Sequence, residues 1–296
     1  MKLAPFQDII AADDRERCNI ILGIGGGFCF VQQKYNGVNC RVYRGGSAGL
    51  SFRTSNDKLW PSAFFGQTVL DAFHQLFGRL PYDAEIHAEL IARDPRIHLA
   101  TLAGWVNVNS TYCEQRNEIA FAVFDIVRTG LAEPFGLRTE RIQNLRQEDH
   151  NRDVILFAQT YIETKPEMLE IAYTTAVKGG QEGVVYRVNP CYHFEGDSIS
   201  PHAWKRPHLR TIEGRIISAI DGEGKRAGML GAFLIELGDG TRVRVGGGKR
   251  MSDAVLREYW VNKHKYLGAM ATFQYAEKSI NGTPLRPQLV SVRNYE

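Results

Sequence analysis

The stretch that begins near Thr211 constrains the fold most. IEGRIISAIDGEGKRAGMLGAFLIELGDGTRVRVGGG reads as strand, turn, strand, turn, strand, with glycine at each turn. A short helix, SDAVLREYW, follows, and ATFQYAEKSINGTPLRPQLVSVR supplies two more strands. Five short strands, one helix and Gly-rich turns suit a small closed barrel of the OB-fold type. The hinge before it falls near Pro207–Thr211, so we expect domains at residues 1–210 and 211–296.

The first domain mixes strands and helices without an internal repeat or low-complexity tract. PFQDIIAADDRER reads as a short helix. In WPSAFFGQTVLDAFHQLFGRL, Val69, Ala72, Phe73, Leu76 and Phe77 recur at helical spacing. EIHAELIA, EIAFAVFDIVR and EGVVYRV are apolar, β-rich runs, whereas RTERIQNLRQ and KPEMLEIAYTTAVKGG are helical, the latter stopping at Gly179-Gly180. The expected class is α+β. The GIGGG run at 23–27 lacks the preceding strand, the Gly-Lys-Ser/Thr end and the following helix of a phosphate loop, so it reads as a flexible turn.

Composition excludes several classes. No apolar run approaches a membrane span, and MKLAPFQDIIAADD lacks the pattern of a signal peptide. Cys18, Cys29, Cys40, Cys113 and Cys191 are widely spaced with no Cys-x-x-Cys pair, which predicts reduced thiols in a cytoplasm. The eight histidines have no metal spacing, and no Gly-x-Ser-x-Gly elbow is present. From Thr211 onward there are 13 Lys and Arg against 9 Asp and Glu, a balance of +4, while the rest of the chain carries −1. That asymmetry suits a module that meets a phosphate backbone.

Residues 31–44, VQQKYNGVNCRVYR, place Lys34 beside Asn36-Gly37, a strong hairpin signal. Taken alone, Lys34 reads as a solvated residue beside a turn. Arg53 in SFRTS, Glu89 in HAELIA, Phe124 in AFAVFDIV, Glu182 in QEGVVYR, and Lys205-Arg206 in AWKRP each have an equally ordinary structural reading.

In this order and spacing, however, Lys34-Tyr35-Asn36-Gly37, Arg53 near a serine, His87-Ala88-Glu89-Leu90, Phe124-Asp125-Ile126, Glu182-Gly-Val-Val185 and the Lys205-Arg206 strand resemble the ATP-dependent polynucleotide ligases. These are covalent nucleotidyltransferases, and the small phage-type DNA ligases are the most similar. The resemblance covers essentially the whole chain. It implies a nucleotidyltransferase (ATP-grasp-like) domain followed by an OB-fold barrel.

The resemblance also implies roles. Lys34 would attack the α-phosphorus of ATP and carry AMP covalently, a step that needs the neutral amine. Gln32, on the same strand face, would read the adenine amine. Phe124 would stack on adenine. Gly37 and Asn39 would border the nucleotide, Glu89 would bind the ribose or a metal, and Glu182 would bind the catalytic metal. Arg53, Lys205 and Arg206 would neutralise phosphate charge. Mg²⁺ is implied as cofactor and nicked duplex DNA as partner. A monomer in the cytoplasm (the host's, if phage-encoded) is expected, with ATP rather than NAD⁺ as donor because no extra domain precedes Lys34.

The sequence departs from the family pattern at Asn36 and His87, where Asp is usual, and at Asn39, where Arg is usual. Trp204-Lys205-Arg206 leaves the register of a Lys-x-Lys strand open, and of a terminal Arg-x-Asp-Lys element only Arg293 survives in RNYE. Lys-x-x-Gly-x-Asn is also the form of one RNA-ligase group. An RNA or RNA–DNA hybrid ligase, or a catalytically inactive nucleic-acid-binding relative, are therefore the alternative readings.

Overall fold

The computed structural model describes residues 2–45, 49–61, 63–148, 153–189, 199–247, 251–279 and 281–293. Cys191 and residues 294–296 lie outside them. The chain divides into two compact units, Met1–Pro207 and His208–Glu296.

The first unit runs β1 (Lys2–Pro5), α1 (Asp14–Ile24), β2 (Cys29–Lys34), β3 (Val38–Arg44), β4 (Leu50–Thr54), β5 (Leu59–Trp60), α2 (Gln67–Gly78) and β6 (Ala84–Ala92). It continues with α3 (Leu99–Trp105), β7 (Ile119–Arg128), α4 (Phe135–Glu148), β8 (Ile155–Phe157), β9 (Thr160–Glu163), α5 (Pro166–Lys178), β10 (Gly183–Arg187) and β11 (Ile199–Pro207).

Among the described residues these strands form two sheets, ordered β1-β11-β10-β2-β9 and β5-β4-β3-β6-β7-β8. Each sheet buries its outer face against helices. On the first, Cys29, Val31, Val184, Tyr186 and Trp204 pack with Cys18, Ile21 and Leu22 of α1 and Leu169 and Ala176 of α5. On the second, Val42, Phe52, Ile86, Leu90, Phe121 and Val123 pack with Val69, Phe73, Leu76 and Phe77 of α2. Because side chains alternate along a strand, the residues between these lie on the opposite, inner faces. The α2 stripe is the one its spacing predicts.

Local sequence accounts for the element ends. Asp13 caps α1 by accepting the Glu16 N–H at 2.8 Å. The helix closes through Gly27, at φ +97°, whose N–H donates to Leu22 O at 2.8 Å, so the GIGGG run is a helix-terminating turn. The short helix expected from Pro5 is instead a 3₁₀ turn, Phe6–Asp8, and the α-helix starts only at Asp14.

The Asn36-Gly37 hairpin is not formed. β2 pairs with β9 and β10, whereas β3 pairs with β4 and β6, so the two residues carry the chain from one sheet to the other. Neither has positive φ. Gly37 serves a different need: a Cβ there would lie 2.1 Å from Leu90 O, so the crossing backbone presses directly on β6.

The second unit contains β12 (Arg210–Asp221), β13 (Leu230–Glu236), β14 (Arg242–Gly246), α6 (Asp253–Val261), α7 (Lys263–Tyr266), β15 (Met270–Tyr275), β16 (Glu277–Lys278), β17 (Pro284–Leu285) and β18 (Gln288–Arg293). Strands β12-β13-β14-β18-β15 close into a barrel. Ile216, Phe233, Ile235, Val243, Val245, Ala271 and Phe273 fill it, and Leu256 of α6 belongs to the same core. The fold is the mixed α+β arrangement with an OB-like barrel. The expected boundary at 210/211 falls one residue inside β12; the units separate earlier, between Pro207 and His208.

Candidate active site

The two inner faces meet around Lys34. Lys34 ends β2, opposite Gly183 on β10, and its ammonium forms an ion pair with the Glu182 carboxylate. Both side chains are about one-fifth exposed (20% and 22%), so the pair is shielded but open on one side.

Glu89 reaches the same place from the second sheet. It stands opposite Asn39 on β3. Its carboxyl accepts hydrogen bonds from the Asn39 side chain and the Gly37 backbone N–H. Burial raises its pKa, Lys34 pulls it down, Glu182 pushes it up again, and it comes to about 7. Asn39, where the ligase pattern has Arg, thus supplies a neutral donor to this carboxyl.

Gln32 is fully buried on the same face as Lys34. Its amide nitrogen donates to Phe124 O at 2.8 Å and Thr160 Oγ1 at 3.2 Å, which leaves the amide oxygen as the atom able to accept from an exocyclic amine. Phe124 owes its place to a bulge. His87 pairs with Asp125 and Ala88 with Val123, so Phe124 is the extra residue between them, and its ring turns away from the Phe121–Val123 core. The His87 ring meets it edge-on at 6.2 Å.

The Lys-x-Lys register is fixed by pairing. Lys205 lies opposite Val185, which lies opposite Gln32, so Lys205 shares the inner face with Gln32 and Lys34. Two residues to either side stand Ala203 and Pro207, so the second cation of the pattern is missing from this face. Arg206 pairs with Val184 and points the other way, which corrects its expected role at the phosphates. It is buried, stacked 4.6 Å from the Phe6 ring and 3.9 Å from that of Tyr173, and it pairs with Asp14 and Glu170, both at 2.6 Å. Those contacts tie β11 to α1 and α5. Arg53 is on the polar face of the second sheet, opposite Arg41, and its guanidinium is engaged by Asp57 at 2.8 Å rather than by the Lys34 group.

Several residues here were given no role by the sequence reading. Arg187, Asp125 and Arg138 form a buried cluster beneath Phe124, and Arg41, Glu85 and His87 continue the polar face, with His87 Nε2 3.0 Å from Glu85 Oε1. The available signal was Arg187 at the end of the EGVVYR run and Asp125 directly after Phe124; their partners are far away in sequence. The four described cysteines are buried and free, and burial raises their pKa values, that of Cys18 to about 12, so none is a reactive thiol. No helix among the described residues is long and apolar enough to cross a membrane.

Residues 221–293 match the family model of the DNA ligase OB-like domain. A structure of a Lig E DNA ligase, described as binding DNA with a minimal scaffold, superposes with a TM-score of 0.67 at 20% identity, over 99% of this chain and 98% of the other. This is the fold of an ATP-dependent DNA ligase. The ATP-dependent DNA ligase of bacteriophage T7, in complex with ATP, gives 0.53 at 16% identity, again over 99% and 98%. A chain named Pmar-Lig_PreS3 gives 0.77 at 17% identity over 97% of this chain and 67% of its own length. Compared with curated protein sequences, the chain matches none. The likeness to the DNA ligases thus lies in the fold, at sequence identities too low to carry residue roles by alignment.

Proposed function

We propose that the protein is an ATP-dependent DNA ligase that seals nicks bearing a 5′-phosphate and a 3′-OH. The observation that carries this reading is the convergence of Lys34, Glu182, Glu89 and Phe124 on one cleft, from two sheets, in a chain with the ligase fold.

In the first step Lys34 Nζ, after its ammonium has given up a proton to solvent on the open side of the pair, attacks the α-phosphorus of ATP. The N–P bond forms, the P–O bond to pyrophosphate breaks, and a lysyl-AMP remains. Glu182 holds the lysine head in place at the strand end, which limits the directions from which it approaches the phosphate. Gln32 offers its amide oxygen to the base, and Phe124 offers its ring as a stacking platform. Lys205 supplies positive charge on the same face as Lys34, where the phosphate charge develops. The AMP then passes to the 5′-phosphate at a nick, and attack by the 3′-OH on that phosphate joins the strands and releases AMP.

Mg²⁺ fits this donor set. Among the described residues no three His, Cys, Asp or Glu side chains form a metal-binding group. Glu89 and Glu182 are two carboxylates at one point, and Mg²⁺ takes one or two protein carboxylates while completing its shell with water and phosphate oxygens. Bound there, it would neutralise charge on the transferring phosphate. The net positive charge of the C-terminal unit supports a salt-dependent grip on duplex DNA.

The test is label transfer. With Mg²⁺ and ATP labelled at the α-phosphate, the denatured protein should carry label, and Lys34→Ala should carry none. Nicked DNA should then be sealed faster than nicked RNA or an RNA–DNA hybrid. Absence of label, even after pyrophosphate has stripped any AMP already bound, would reject the reading.

A further inference from the structure

Asp125 is held by two arginines from different elements. Arg138 of α4 donates Nε to Oδ1 at 2.9 Å and Nη2 to Oδ2 at 3.2 Å, while Arg187, the last residue of β10, donates Nη1 to Oδ2 at 3.3 Å. The three side chains are only 1–3% exposed. The Arg187 guanidinium lies 5.9 Å from the Phe124 ring centroid and 4.7 Å from that of Phe135, and Arg138 lies 5.3 Å from Phe135. Arg187 Nε has no hydrogen-bond partner among the described residues.

Apolar side chains of similar volume often replace a buried ion cluster at no cost in stability, so two cations sharing one anion in a core is weak evidence of a stabilising role. What charged, planar groups add is direction, because a guanidinium fork fixes the orientation of the carboxylate it grips. The residue whose direction needs fixing is the neighbour of Asp125. Phe124 is the unpaired residue of a bulge, and the ladder hydrogen bonds that orient ordinary strand residues are interrupted there. It is held from the first sheet instead: its carbonyl by Gln32 of β2, and its ring face and the following carboxylate by Arg187 of β10.

We propose that Arg187 is a positioning residue for the nucleotide. With Asp125 and Arg138 it locks the bulged Phe124 so that the ring is presented to the adenine base. The proposal rests on the reading of the cleft as an adenylation site. Arg187 acts through Phe124, so it governs nucleotide affinity and base preference and leaves the rate of attack by Lys34 unaltered.

Two measurements on the full chain test this. In a Lys34→Ala background, 2-aminopurine riboside triphosphate reports binding, and loss of its emission reports stacking. In the Lys34 background, steady-state sealing of nicked DNA at varied ATP gives KM and kcat. Arg187→Met should weaken probe binding and raise the ATP KM about tenfold, with the stacking quench lost. kcat should stay within about threefold. Arg187→Lys should retain part of the affinity. Phe124→Ala should show the same defect, and the double variant Arg187→Met/Phe124→Ala should be no worse than Phe124→Ala alone.

Unchanged KM and quench in Arg187→Met would overturn the proposal, even with a lowered melting temperature, since that is a purely structural role. So would a fall in kcat at constant KM, or defects that multiply in the double variant. A parent protein that binds and labels normally while Phe124→Ala is silent would remove this inference and leave the ligase reading intact. A parent that neither binds nor labels would remove both.

Discussion

Lys34 and Glu182 are joined across neighbouring strands of one sheet, the lysine as the last residue of β2 and the glutamate one residue before β10. The pairing makes the geometry of the amine depend on a residue 148 positions away in sequence. Lys34→Arg keeps a cation beside Glu182 but cannot supply a neutral nitrogen. It should abolish label transfer by at least about a thousandfold, like Lys34→Ala. Glu182→Gln should slow the same step while leaving the nucleophile in place. Wild-type labelling in Lys34→Arg would place the nucleophile elsewhere.

Glu89 sets a pH dependence of stability. Its folded pKa, about 7, lies above the ordinary value of 4.5. Between those pH values the native protein keeps a proton that the unfolded chain has released. Stability therefore falls as pH rises from about 4.5 to about 7 and levels off above, by a total on the order of 3 kcal/mol at most. Glu89→Gln, neutral throughout, should lack this slope. Urea unfolding of both proteins at pH 5, 6, 7 and 8, without divalent ions, checks it; parallel curves would refute the assignment.

Much of this was legible from local pattern. The strand-turn order after Thr211 and the glycine turns specify a barrel, because each strand there has a near neighbour in sequence among its partners, although closure also needs the distant pairing of β12 with β15. The α2 stripe is equally local. What local pattern misled on was Asn36-Gly37: a hairpin turn and a crossing between sheets use the same dipeptide, and only the distant partners of β2 and β3 decide between them. The choice between Lys205 and Arg206 was hidden for the same reason. Strand parity puts one of the two on the inner face, and the register with Val184 and Val185 settles which. The bulge at Phe124 and the Asp125 cluster depend on contacts with α4 and β10 that no spacing announces.

Gly37 gives a test of the crossing. Gly37→Ala drives a methyl into Leu90 O, at 2.1 Å, and against Glu89 Cγ, at 2.7 Å. The backbone has to move, at a cost of about 1–3 kcal/mol, and Glu89 moves with it, so label transfer should fall as well. Gly26, at φ +70° with nothing within 4 Å of an added Cβ, is the control. Gly26→Ala should cost about 1 kcal/mol through backbone strain alone and leave labelling unchanged. Equal effects on labelling from both variants would mean that the crossing does not position Glu89.

The adjacent pair Lys205 and Arg206 separates function from stability within one strand. Arg206→Ala removes the partner of Asp14 and Glu170 and empties the space between Phe6 and Tyr173. Breaking a largely buried pair typically costs about 3–5 kcal/mol; both carboxylates here are partly exposed, so about 2–4 kcal/mol is expected. The ATP KM of the protein that remains folded should be unchanged, because the side chain lies behind the sheet. Lys205→Ala, on the inner face, should change stability by less than about 1 kcal/mol and reduce label transfer. Denaturation midpoints and KM measured on both variants decide the register. If Arg206→Ala raised KM while Lys205→Ala only lowered stability, β11 would be turned over relative to the pairing described, and Arg206 would belong with Lys34.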